Sequence, residues 1–219
     1  MASASDTSAL RERAIATAQA MNSRKLNRGK SGNVSARIAG GFVVTPSAMA
    51  YDALEPADLV AVMADGTTRG RRAPSSEWRL HQAIYAARAD FDAIVHAHPP
   101  FATALACLDR GIPPFHYMVA VAGGDDIRCA PYATFGTPGL AAHTVDALAG
   151  RRACLLSHHG LVAAGADLDR ALALAVEVEA LAEIYCRALA IGEPALLTPL
   201  QMQDVAEQFG AYGQREGEG

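Results

Sequence analysis

The chain has 219 residues, 51 % of them apolar and 19 % charged, which is globular composition with material for one substantial core or two small ones. A net charge of −4 gives no footing for nucleic acid or an anionic membrane as partner. No apolar run approaches the ~20 residues of a membrane-spanning helix. The small, polar stretch from Met1 to Ser8 lacks the basic and apolar regions of a secretion signal, so a cytoplasmic protein is expected.

Cysteine and lysine usage narrow the chemistry. Cys107, Cys129, Cys154 and Cys186 form no Cys-x-x-Cys pair, which excludes a zinc ribbon and reads as small hydrophobes in a reducing compartment. Lys25 and Lys30 are the two lysines, and both fall in a polar, loop-like stretch unsuited to desolvating an amine. Covalent lysine catalysis is therefore not expected, and a metal is the natural substitute electrophile.

In chain order, Ser8 to Met21 reads as an amphipathic helix capped from Asp6, Thr7 or Ser8. A glycine-punctuated loop, Asn27 to Asn33, follows. Val34–Ile38 and Phe42–Thr45 read as a hairpin around Ala39-Gly40-Gly41, and Leu59–Met63 as a further strand. Ser75–Arg88 reads as a helix opening after Pro74, with Ser75 or Ser76 as cap and Glu77 in its first turn. Strands are expected at Ala93–His98, Ile127–Pro131, Ala153–Ser157 and Leu161–Ala164. Helices are expected at Ala102–Leu108, Leu140–Leu148, Leu168–Ile191 and from Thr198 or Pro199 to Phe209. Without repeats or a linker, this is one α/β domain over 1–213, with a mostly antiparallel or mixed sheet flanked by helices, and a disordered Gly/Glu tail over 214–219.

Five constellations carry chemistry. His96-Ala97-His98 sits at a strand end against Pro99-Pro100, and residues two apart on a strand face the same way, so two imidazoles can reach one ion. Ser157-His158-His159-Gly160 ends another apolar strand. Neighbouring strand residues face opposite sides, so one of His158 and His159 is expected to join the same ion, giving three histidines and an open position. His81 and His143 have no such partners and read as structural or exposed. Pro74-Ser75-Ser76-Glu77 offers hydroxyls at a helix N-terminus, suited to a phosphate, and a carboxylate suited to proton transfer beside a carbonyl. The Gly29-Lys30-Ser31 run lacks the earlier glycine of a Walker loop, since Arg24 stands there, but its turn can offer N–H groups to a phosphate. His116-Tyr117-Met118 and the run Cys129 to Thr137 supply tyrosines able to serve an oxyanion.

Taken together, these segments resemble the class II aldolase/adducin family, most closely its L-fuculose-1-phosphate aldolases, from about Arg11 to Tyr212. The stretches that carry the resemblance are Gly32-Asn33-Val34-Ser35, Thr45-Pro46-Ser47, Pro74 to Arg79, His96-Ala97-His98, His116-Tyr117-Met118, Gly123-Gly124, Cys129 to Thr137 and His158-His159-Gly160. The resemblance implies zinc held by His96, His98 and His159, with Glu77 as acid/base. It implies a phosphate pocket of Gly32, Asn33, Ser47, Ser75 and Ser76, and an aldehyde end lined by Phe135 and Tyr212. Tyr117 is implied to protonate the aldehyde oxygen from a neighbouring subunit, within a homotetramer. The implied reaction is reversible cleavage of a ketose 1-phosphate, L-fuculose 1-phosphate or a related deoxy-ketose, to dihydroxyacetone phosphate and a small aldehyde such as lactaldehyde. A pentulose-phosphate 4-epimerase, decarboxylase or dehydratase of the same superfamily is the alternative reaction, and a non-catalytic adducin-like module the alternative of another class. Ala48 stands where these aldolases carry glycine, and Lys30-Ser31 before Gly32 is less typical of them.

Overall fold

The computed structural model describes residues 5–212, with side chains to residue 210. Among them lie eight strands in one mixed sheet and six α-helices. The strands are β1 (Asn33–Ile38), β2 (Gly41–Val44), β3 (Val60–Met63), β4 (Thr68–Arg69), β5 (Ala93–Ala97), β6 (Cys129–Ala130), β7 (Ala153–Leu156) and β8 (Gly160–Gly165). The helices are α1 (Ser8–Ser23), α2 (Trp78–Ala87), α3 (Pro100–Ala106), α4 (Pro138–Ala147), α5 (Leu168–Ile191) and α6 (Pro199–Tyr212). The sheet runs β4-β3-β2-β1-β5-β8-β7-β6. Every pairing is antiparallel except β6 with β7. This is the α/β architecture with an antiparallel-dominated mixed sheet that the sequence predicts.

The two faces of the sheet bury separate cores, so the strands carry apolar residues on both sides. On one face Val34, Ala36, Val95 and Ala97 join residues of α1, α3 and α5. On the other, Phe42, Ile94 and Val162 meet Leu80, Ile84 and Tyr85 of α2 and Leu140 of α4. Strand alternation therefore decides which residues can reach α2. In β1 these are Asn33, Ser35 and Arg37, and in β5 they include His96.

The expected elements stand with adjusted bounds, and α5 spans the predicted residues. One difference matters for the site. The helix expected from Ser75 begins at Trp78, with Glu77 at its N-cap position and no side-chain cap there. Ser75 and Ser76 lie outside it because tertiary bonds claim this segment: Ser75 N donates to Thr45 O at 3.1 Å, and Pro46 and Pro74 form an isolated bridge. The strand expected over Ile127–Pro131 contracts to Cys129–Ala130, with Ile127 bridging Ile112 instead. Among the described residues no helix is long and apolar enough to cross a membrane. The expectations on Tyr212 as a side chain and on the tail 214–219 fall outside what is described.

Candidate active site

Three strands and one helix start converge on a single point. His96 is the fourth residue of β5, and His98 lies just past its end. His159 sits in the turn between β7 and β8, and Glu77 at the head of α2. One ligand atom from each of these four residues lies within 4.8 Å of all the others. His96 Nε2 and His98 Nε2 are 3.0 Å apart. His96 Nε2 is 3.2 Å from Glu77 Oε2, and His159 Nε2 is 3.2 Å from Glu77 Oε1.

The choice between His158 and His159 has a different physical basis from the one expected. Both fall in the β7–β8 turn rather than on a strand, and His158 adopts a left-handed φ of 53°. That turn sends the exposed His158 ring toward Tyr132, edge-on at 6.0 Å, and leaves His159 facing His96 and His98.

The donor set fits a zinc-like ion. Tetrahedral coordination at Zn–N distances of about 2.0–2.1 Å sets donor atoms roughly 3.3 Å apart, and the observed separations are 3.0 and 3.2 Å. His96 Nδ1 donates to Leu161 O at 2.8 Å, which turns Nε2 toward the cluster. Burial works to lower the His96 pKa, but the neighbouring Glu77 carboxylate outweighs it and raises it. Burial, reinforced by the neighbouring His96, lowers the pKa of His98 to about 3 and of His159 to about 4, so both rings are neutral, the form that binds metal. Burial alone would raise the Glu77 pKa. The His96 and His159 rings and the Asn33 amide outweigh it and hold the carboxyl below the usual range. Glu77 Oε1 is buried and finds no hydrogen bond of good geometry among the described residues, so it is available to a cation or a proton.

Beside this cluster lies a cleft of about 380 Å³. Gly32, Asn33, Ser47, Ser75, Ser76, Glu77, His98, His159 and Phe135 all line it. Ser47 and Ser75 come together because Ser47 N donates to Ala73 O at 3.1 Å beside the Pro46–Pro74 bridge. Ser75 Oγ in turn accepts from Glu77 N at 3.3 Å, tying the phosphate-side serine to the carboxylate residue. Gly32 has a φ of +73°, and a Cβ there would stand 2.4 Å from His96 O, so only glycine lets this loop pass the metal-side strand.

Tyr117 lies elsewhere. It is half exposed and stacks on His116, with ring centroids 4.9 Å apart, and faces Phe209 at 6.4 Å. It does not line this cleft. His143, partly buried, lies away from the cluster and bonds Pro131 O through Nδ1 at 3.0 Å.

Tyr132, His158 and Lys30, from segments the sequence singled out, also line the cleft. The residues that the sequence reading gave no role are those that hold the loop. Asn27 donates from Nδ2 to Ser31 O, and the Tyr51 hydroxyl points at Ser31 O and Gly32 O, both at 2.8 Å, so together they hold the glycine loop. His81 takes the structural of its two expected roles: it is fully buried and hydrogen-bonded to Asn33, a partner that the sequence reading did not name. Its signal was its place beside Leu80 and one turn before Ile84 and Tyr85, the buried face of α2.

Comparison with known proteins agrees with this geometry. Residues 12–186 match the family model described as the class II aldolase and adducin N-terminal domain. A 5-methylthioribulose-1-phosphate/5-deoxyribulose-1-phosphate aldolase of Rhodospirillum rubrum is 51 % identical over 205 residues, covering 94 % of this chain and 93 % of that one. An L-fuculose phosphate aldolase of Escherichia coli is 46 % identical over 202 residues, covering 92 % and 94 %. A solved L-fuculose 1-phosphate aldolase superposes with a TM-score of 0.90 at 40 % identity, over 93 % of this chain and 97 % of that one. A family model spanning most of the chain, relatives near half identity and a shared fold lead to one conclusion: the chain belongs to the class II aldolase and adducin family, on its aldolase side.

Proposed function

We propose that the protein cleaves a deoxy-ketose 1-phosphate reversibly to dihydroxyacetone phosphate and a small aldehyde, using a zinc ion held by His96, His98 and His159. The observation that carries this reading is the junction of two half-sites in one cleft. Three imidazole Nε2 atoms and a carboxylate converge at one end, and Asn33, Ser47, Ser75 and Ser76 gather beside them.

When bound, the ion supplies Lewis-acid stabilisation of the negative charge that develops on oxygen as the carbon–carbon bond breaks. Asn33, Ser47, Ser75 and Ser76, with the Gly32 backbone, hold the phosphate and so fix where the carbonyl falls relative to the histidines. Glu77, with its Oε1 free of hydrogen bonds, moves a proton at the hydroxymethyl carbon of the three-carbon product. Tyr117 of the partner subunit exchanges the proton on the aldehyde oxygen. Its exposed position outside the cleft leaves it free to serve a neighbouring copy, as in the homotetramer that the family resemblance implies. Phe135, exposed at the cleft, lines the aldehyde end. Lys25 and Lys30 are both exposed, which supports metal over iminium chemistry. A cytoplasmic setting suits the free thiols.

The test is cleavage of L-fuculose, 5-deoxyribulose and 5-methylthioribulose 1-phosphates, read as dihydroxyacetone phosphate from untreated, chelator-treated and zinc-restored protein. Activity lost on chelation and regained with zinc supports the proposal, and the ranking of the three names the aldehyde. Release of an epimer, or of no triose phosphate from zinc-loaded protein, sinks the aldolase step.

A further inference from the structure

A row of polar side chains runs between β1 and α2, behind the cleft. Two strand residues advance about 6.8 Å and four helix residues about 6 Å, so Asn33, Ser35 and Arg37 keep step with Glu77, His81 and Tyr85. The rungs are complete. Asn33 Nδ2 donates to Glu77 Oε2 at 3.0 Å, and Asn33 Oδ1 bonds His81 Nε2. His81 Nδ1 and the Tyr85 hydroxyl both bond Ser35 Oγ, at 2.7 and 2.8 Å. His81 has no exposed surface, and Asn33, Ser35 and Tyr85 are buried.

Chemistry gives this row one direction. A carboxylate only accepts, so Asn33 must turn its NH₂ toward Glu77 and its carbonyl toward His81. His81 must then donate from Nε2. A neutral ring has Nδ1 left as acceptor, so Ser35 donates to it, and Tyr85 donates to Ser35. Burial, with His96 nearby, lowers the His81 pKa to about 3, in keeping with a neutral ring. The opposite ring tautomer would set two lone pairs, those of Nε2 and Asn33 Oδ1, against each other.

We propose that His81 is a positioning residue: by donating from Nε2 to Asn33 Oδ1, it fixes the Asn33 amide so that the same side chain steadies Glu77 and stays presented to the phosphate pocket. The catalytic part of this inference rests on the function proposed above, in which Glu77 moves the proton and Asn33 contacts phosphate. The hydrogen-bond part does not. Phe42 packs near the His81 ring, with centroids 6.3 Å apart, so the ring is held from the apolar side as well.

The experiment separates the two ring nitrogens. Glutamine places its NH₂ near the position of Nε2, and asparagine near that of Nδ1. His81→Gln therefore restores the donor to Asn33, and His81→Asn restores only the contact with Ser35. In zinc-loaded protein, His81→Asn is expected to lower kcat 10- to 100-fold, and His81→Gln less than 5-fold, at equal zinc content. Adding His81→Asn to Asn33→Ala should cost less than 3-fold beyond Asn33→Ala alone, because the path runs through that amide. Equal losses in His81→Gln and His81→Asn, losses that track melting temperature alone, or full additivity with Asn33→Ala would overturn the proposal. Nitrogen-resolved NMR of the wild type supplies a readout free of turnover and of variant folding. A neutral His81 ring protonated at Nε2 is expected, and a ring protonated at Nδ1 or at both nitrogens refutes the mechanism. Should the wild type cleave no ketose phosphate, the aldolase reading fails on its own, and the tautomer still decides the hydrogen-bond claim.

Discussion

Asn27 Oδ1 accepts a hydrogen bond from His98 N at 2.7 Å, across 71 residues of chain. The same side chain donates through Nδ2 to Ser31 O at 2.7 Å. One buried amide thus joins the loop of the phosphate pocket to the backbone of a metal-cluster histidine. Removing it takes away the partner of His98 N, while Ser31 O keeps the Tyr51 hydroxyl, so the loss falls on the His98 backbone.

Asn27→Ala is therefore expected to weaken zinc binding 10- to 100-fold, the usual effect of losing a supporting contact behind a metal ligand. It should also destabilise the fold by about 2 kcal/mol. Competition with a chromogenic chelator measures the first and urea unfolding the second. An unchanged zinc affinity would show that the bond to His98 N has no hold on the ligand.

Gly160 opens β8 directly after His159. A Cβ there would stand 2.3 Å from Ala97 O and 2.7 Å from the His98 ring. Backbone cannot give way as a flexible side-chain tip can, so Gly160→Ala must part β8 from β5 or displace His98. The expected cost is about 2–3 kcal/mol, with zinc content falling below one ion per chain. Calorimetry and metal analysis of the purified variant check both, and a stable variant with full metal content would contradict the packing argument.

Ala48 holds a left-handed φ of 61° on the wall of the cleft. A non-glycine residue pays roughly 1–2 kcal/mol there. Glycine would relieve the strain but free the unfolded chain by about 0.4–1 kcal/mol, so Ala48→Gly is expected to stabilise by about 0.5 kcal/mol. A denaturant midpoint that moves downward instead would show that the methyl group packs usefully.

Asp58 is buried and accepts from Arg71 Nε and Arg72 Nε at 2.9 Å each and from Glu55 N at 3.0 Å. Arg71 first, then Arg72 and the Glu55 amide, hold its pKa below the ordinary value, against the smaller effect of burial. A depressed folded-state pKa gives stability that is fully present above the unfolded value near 3.9 and lost as pH falls below it. Asp58→Asn is expected to cost about 2 kcal/mol at pH 7 and to flatten the fall in stability below about pH 4. Unfolding curves from pH 7 to pH 3 test this, and parallel slopes for the two proteins would count against Asp58 as the source.

Much of the architecture was legible because its signals are local. Apolar runs marked β5, β7 and β8, and Leu168–Ile191 announced α5 by its length and the Gly192 that follows. Pairs of histidines at strand ends announced the cluster. The start of α2 was misplaced because Pro74-Ser75-Ser76-Glu77 has the composition of a helix opening, and only a bond to Thr45, thirty residues away, holds Ser75 out of the helix. The two-residue β4, Thr68–Arg69, was missed because both residues are exposed and carry no apolar alternation.

The sequence by itself determined which side chains exist to hold an ion, and that they fall at chain turns where a cleft can open. Residue type and spacing carry that information, since His, Glu and Gly act through chemistry that is the same wherever they meet. Tertiary structure decided the rest: how the turn at His158 sends His159 inward, where the residues themselves left the pair open and only the family resemblance chose, that Asn27 reaches His98, and that His81 stands behind Asn33. Those facts depend on which strand lies beside which and on the step of β1 against α2. They arise from packing between residues far apart in the chain, and no local pattern encodes them.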